Sequence, residues 1–347
     1  MVEKENVKKI TIARPLLLVL LAGALALGVF IGAGMRIFAP VSATRTEGII
    51  DGREGAFRFI RASVESKAPE GKRPTGELKP FRYKVNELVE ERLQAHDAVA
   101  VSVYFRDLNN GNWFGIGERD RFSPKNLLKV PLMVAYFKWA ETSPMVLRKK
   151  LVSTGTEERA EQEHSRPAKE MEPGKAYTVN DLIYRMIVYD DAAAYTILHA
   201  NLPANRLEKI FKDLYVEYDP HKQDDALSLN AFAAFYRVLF NASYLNEEMS
   251  EKALRYLSKS TFRDGMAAGI PPNIDIASKH GERTVPVSTE DEAKDISQLH
   301  EFGIVYYPNR PYLLGIMARG DDFEQLVKIS RDISRLVYGE VDQQQQP

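Results

Sequence analysis

The chain has 347 residues, 44% of them apolar, a formal net charge of −1 and no cysteine. That length and apolar content suit one large domain with a tail and exclude global disorder. The near-zero charge gives no general pull toward nucleic acid, and the lack of cysteine excludes disulfides, thiolate catalysis and cysteine-ligated metals.

The segment from Pro15 to Met35 carries no charge and is rich in Leu, Ala, Gly and Val. About 20 apolar residues span the hydrocarbon core of a bilayer. Lys4, Lys8, Lys9 and Arg14 precede it. The positive-inside rule then puts residues 1–14 in the cytoplasm and everything after Arg36 outside. One transmembrane helix over 15–35 is expected, with the cell membrane as its partner. The alternative is a signal peptide cleaved near Val41, Ser42 and Ala43, giving a secreted product. The apolar run exceeds a usual signal core, which favours the anchor. Residues 36–80 are dominated by Arg, Glu, Gly and Pro and read as a stalk, in which Phe57, Phe59 and Ile60 could dock on a domain.

The domain is expected over 81–338. Val85, Leu88, Val89 and Leu93 share one face of a helix from Tyr83 to Ala95. Ala98 to Phe105 reads as a buried strand that turns at Asn109, Asn110 and Gly111 and returns from Trp113 to Ile116. Helical spacing follows over Leu127–Ala140, Val179–Leu198, Asn205–Leu214, Ser228–Phe240 and Ser250–Tyr256, with a charged, proline-broken loop from Glu157 to Lys175. Strands return at Asp275–Lys279, Leu299–Tyr306 and Tyr312–Ala318, the last two joined by a turn at Pro308, Asn309 and Arg310. An amphipathic helix from Phe323 to Leu336 closes the domain, and 339–347 read as a disordered tail. Strands on both sides of a helical block argue one α+β domain with an antiparallel sheet.

Three pieces carry chemistry. Lys129 is the only charge between Leu127 and Phe137, in a helix apolar nearly all round, and a buried ammonium needs a partner. Asp190 and Asp191 sit between two apolar stretches; capping a helix explains one of them, and Lys129 is available to the other. Ser278, Lys279, His280 and Gly281 end a strand, where glycine lets a backbone or ligand approach closely.

In this order the pieces resemble the penicillin-recognising serine hydrolases, in particular class A β-lactamases and D-Ala-D-Ala peptidases, whose marks are S-x-x-K, S-D-N (or Y-x-N) and K-T-G. The correspondents are Asn126 to Lys129, Tyr189-Asp190-Asp191, and Lys279-His280-Gly281. Phe122, the Lys-Val-Pro-Leu-Met run from Lys129, and His300 to Tyr306 followed by Arg310 also look like the family. The resemblance implies a five-stranded antiparallel sheet with helices on both sides and a helical subdomain. It implies a hydrolase of β-lactams or cell-wall peptides that uses no cofactor.

The departures argue against that chemistry here. Covalent catalysis needs a hydroxyl or thiol that a base can activate, and Asn126 offers an amide at the nucleophile position. Asp191, where the family has asparagine, is expected to pair with Lys129 and keep it protonated, closing the site. Tyr189 keeps a proton-shuttle type, His280 keeps a donor in place of threonine, and no E-x-x-L-N segment follows Asp191. Ser123 before Pro124 reads as a helix N-cap, and Ser278 alternates to the opposite sheet face from Lys279. The expected protein is a pseudoenzyme that binds a peptidoglycan peptide, a β-lactam-like ligand or a protein partner. The alternative is an active β-lactamase or D-Ala-D-Ala carboxypeptidase.

Overall fold

The computed structural model describes residues 57–61, 78–155, 164, 167–218, 226–288 and 293–344, all within one unit, Arg53–Pro347. The predicted membrane helix and most of the stalk lie outside the described residues. Among those described, no helix is long and apolar enough to cross a membrane.

The elements in chain order begin with α1 (Lys79–Gln94), β1 (Ala100–Asp107), β2 (Trp113–Ile116) and β3 (Arg121–Phe122). A 3-10 turn (Lys125–Leu128) leads into α2 (Lys129–Thr142), then β4 (Lys150–Val152), β5 (Ala176–Thr178), α3 (Val179–Val188), α4 (Ala192–Asn201) and α5 (Ala204–Asp213). After β6 (Leu227–Ser228) come α6 (Leu229–Phe240), α7 (Glu247–Leu257), β7 (Ile276–Ser288), β8 (Ala293–Val305), β9 (Tyr312–Gly320) and α8 (Phe323–Gln343).

The main sheet has five antiparallel strands in the order β2-β1-β9-β8-β7, which leaves β7 at an edge. One face packs on α2 to α7, where Phe232, Tyr236, Phe302 and Met317 meet in the larger core. The other face packs on α1 and α8, where Phe81, Phe105, Phe114 and Ile333 form the second. α2 is the axis of the first layer. Every residue from Lys129 to Phe137 is buried, so this helix is stabilised by packing on all sides, at about 1.5–3 kcal/mol per large apolar side chain.

The expected hairpin, the antiparallel sheet and the helical block are present, with several differences. The expected helix from Val179 to Leu198 is two helices broken at Tyr189–Asp191, because Asp190 adopts a left-handed backbone (φ +59°). Thr178 and Asp181 form a capping box on the first of them. Ser123 does not cap α2. Pro124 precedes the 3-10 turn, and no side chain caps it. β7 and β8 run well past their expected limits; Val285–Ser288 pair with Ala293–Ile296 beyond the end of β9. α8 continues to Gln343, so the expected tail from 339 is helical for most of its length. β4 and β5 pair on either side of the charged loop.

Phe57 to Arg61 dock on the domain as expected. Glu251 of α7, itself buried, accepts from the backbone amides of Phe59 (2.8 Å) and Arg58 (3.1 Å). Arg61 N donates to Phe240 O at 2.8 Å, and the Tyr306 hydroxyl donates to Phe59 O at 3.0 Å. Phe59 also meets Tyr306 edge-on at 5.1 Å. Residues 57–61 are thus held by both backbone and side chain.

On the α8 face, Glu301 of β8 is buried and accepts from Met266 N (2.9 Å) and from the Ser330 hydroxyl. Gly265 leaves room for it, since a Cβ there would lie 2.0 Å from Glu301 Oε2. Burial pushes the Glu301 carboxyl up to about 7, against the two hydrogen bonds. Its folded value lies above its unfolded value of 4.5, so the folded state holds the extra proton, and stability from this group is lost as pH rises from 4.5 to 7. Glu301→Gln removes that loss. Urea unfolding of the two proteins should show the variant gaining about 3 kcal/mol on the wild type between pH 4.5 and 7.5. A constant difference across that range would contradict it.

Candidate functional site

The site forms where the 3-10 turn, the α3–α4 break and edge strand β7 meet. Gly281 is needed for that meeting: a Cβ there would lie 3.1 Å from Leu127 N and 3.5 Å from Pro124 O, so β7 passes backbone to backbone beside the turn that carries Asn126. Asn126 is half-buried, one turn before Lys129, whose amide donates to its carbonyl.

Asp190 is the centre of the cluster. Its left-handed backbone ends α3 and turns both its carbonyl and its side chain to Lys129. Lys129 Nζ donates to Asp190 O at 2.9 Å and to Oδ1 at 2.6 Å. Lys279 Nζ donates to the same Oδ1. His280 Nε2 lies 3.4 Å from Oδ2, and its ring stacks on Phe262 at 4.0 Å. Lys129 and Lys279 are each 1% exposed and Asp190 4%.

The expected pairing of Lys129 with Asp191 is therefore corrected by one residue: Asp190 holds the lysine. Asp191 is the N-cap of α4, accepting from Ala194 N at 3.1 Å, and it pairs with Arg185 at 3.4 Å. Burial raises its carboxyl, against that hydrogen bond and Arg185. Tyr189 does not join the lysines either. Its ring packs edge-on against Tyr184 at 5.5 Å, with the Lys169 ammonium and the Arg185 guanidinium 5.8 and 5.9 Å from its centre. Sequence reasoning missed Arg185 and Phe262. Arg185, a charge inside an apolar helix six residues before Asp191, was the legible signal for the first; nothing local marks Phe262.

The electrostatics follow from depth. Burial alone would raise the Asp190 carboxyl, but Lys129, Lys279 and His280 outweigh it and hold it well below the usual carboxylate range. Burial pushes Lys279 down to about 8, with Asp190 opposing the drop and Lys129 adding to it. Burial, then Lys279, takes His280 down to about 3, so it is neutral at pH 7. The cluster of two ammonium groups, one carboxylate and a neutral imidazole carries one net positive charge. An ammonium tied to a carboxylate donates protons rather than accepting one, and the amide of Asn126 is not a nucleophile. Among the described residues no group of His, Asp or Glu is arranged to hold a metal.

A model of the beta-lactamase enzyme family matches residues 80–341. Among solved structures, the chain is similar to a PBP-A variant captured as an acyl-enzyme with penicillin G, at 19% identity and a TM-score of 0.62, covering 78% of this chain and 98% of that one. It is similar to a β-lactamase of Xanthomonas campestris pv. campestris (17% identity, TM-score 0.62, 74% and 97% covered) and to one of Chitinophaga pinensis (14%, 0.63, 76% and 100%). At these identities the likeness speaks for the fold. No curated protein matches the sequence. The family match covers nearly the whole domain, and this chain belongs to the beta-lactamase enzyme family.

Proposed function

We propose that the protein is a membrane-anchored, extracytoplasmic pseudoenzyme of this family, whose groove binds a carboxylate-bearing cell-wall peptide or β-lactam-like ligand without acylation. The observation that carries it is Asp190 seated on both Lys129 and Lys279, with Lys129 one turn after an asparagine at the nucleophile position. The one-residue offset adds support. If the S-D-N element is read as Asp190-Asp191-Ala192, the shuttle hydroxyl is replaced by a carboxylate and the asparagine by a methyl group. The net positive charge of the cluster favours an anionic group in the ligand.

The anchor rests on the uncharged run from Pro15 to Met35 behind four basic residues. Hydrolysis of a chromogenic cephalosporin by the detergent-solubilised chain tests the reading. Wild type and Lys129→Ala should both run at the rate of buffer. Turnover by the wild type that Lys129→Ala abolishes would instead favour an active hydrolase.

A further inference from the structure

A cavity of about 690 Å³ opens toward the opposite edge of the sheet from this site, between the β1–β2 hairpin, the chain following α5, and α6. Its described lining holds four guanidinium groups, those of Arg106, Arg119, Arg121 and Arg237, and the two carboxylates of Glu118 and Glu217. Arginine stays charged at any working pH and matches carboxylates bidentately. Arg106 is buried, whereas the Arg119 side chain is 92% exposed beside Glu118. Trp113, half-buried, stacks on Tyr104 at 5.8 Å and 22° within the same lining.

Tyr215 sits at the cavity's mouth and is the feature the fold does not explain. It closes α5 in a Schellman arrangement, with Tyr215 N donating to Lys212 O at 3.2 Å and Val216 N to Phe211 O at 2.9 Å. That position takes a left-handed backbone (φ +54°), which favours glycine. His96 and Ala242 end helices with similar φ, but neither lines the cavity. Tyr215 is also 95% exposed, so its ring adds no packing in return for the unfavourable backbone. A strained residue that buries nothing points to a role outside the fold.

We propose that this cavity is a second ligand site, for an acidic saccharide. The sugar ring faces pack on Tyr215 and Trp113, whose amphipathic rings suit surfaces both apolar and hydroxylated. The carboxylate lies among the arginines. The proposal is independent of the chemistry at Lys129 and Asp190.

Calorimetric titration of the detergent-solubilised full chain tests it, with three probes: trigalacturonic acid, its methyl ester, and inorganic phosphate. The acid should bind at least roughly tenfold more tightly than the ester, which lacks the charge, and than phosphate, which lacks the ring faces. Tyr215→Gly and Arg119→Ala should each weaken the acid severalfold. Tyr215→Gly should leave the melting temperature unchanged or higher, because glycine relieves the backbone. No binding of the acid, equal binding of acid and ester, equal binding of acid and phosphate, or full affinity in Tyr215→Gly would each overturn the proposal.

Discussion

Replacing Asp190 by alanine should lower the unfolding free energy by about 3–5 kcal/mol, the usual cost of removing one partner from a buried ion pair. Two ammonium groups converge on this one carboxylate, and both are out of water. Without it they repel each other in a medium that screens poorly. Asp191→Ala should cost less, about 1–2 kcal/mol, because it loses a helix cap and a pair with Arg185. Urea unfolding at pH 7 separates the two, and equal costs would contradict the assignment of Asp190 as the keystone.

The pH dependence has a definite sign. The folded Asp190 carboxyl is held below its usual 3.8, so its stabilising contribution is present above that value and lost as pH falls below it. Lys279 behaves oppositely. Its folded value, about 8, lies below 10.5, so the folded state sheds this proton first and stability rises as pH goes from 8 to 10.5. The deficit of Asp190→Ala should therefore narrow toward pH 10, where the Lys279 ammonium can lose its proton in the folded state.

The second large effect is a gain of chemistry. Asn126→Ser alone should stay inert toward penicillin, because the new hydroxyl would face a lysine already committed to Asp190. Asn126→Ser with Asp190→Ser restores a hydroxyl and frees Lys129 from its counter-ion. The double variant should acylate at least about 100-fold faster than the single one, the smaller end of what a positioned base contributes. Intact-mass kinetics with penicillin G measure both. Equal rates in the single and double variants, whether fast or nil, would show that Asp190 is not the lock.

Much of this fold was legible because its signals are local. The β1–β2 hairpin has alternation around Asn109, Asn110 and Gly111, and α2 has an uninterrupted apolar run with one lysine. Lys129, Lys279 and Gly281 stood out for a physical reason: a lone charge in an apolar helix, and a glycine after a strand. What was not legible depends on single backbone angles and distant contacts. One left-handed residue at Asp190 splits a helix that periodicity reads as continuous, and it decides which of two adjacent aspartates turns to the lysine. Capping chemistry foresaw one aspartate on a helix end but could not say which. The outer part of the long β7–β8 ribbon was hidden because Pro286 interrupts it, and a proline within a run argues against a strand. The seat of Glu301 depends on Gly265, Met266 and Ser330, which only the folded chain brings together.

A site with asparagine at position 126 and Asp190 across both lysines should form no acyl-enzyme. Incubation of the wild-type chain with excess penicillin G, followed by intact-mass spectrometry, tests it most directly. The mass should stay unchanged at every time point. A stoichiometric mass increase of one penicillin, lost in Lys129→Ala, would contradict it.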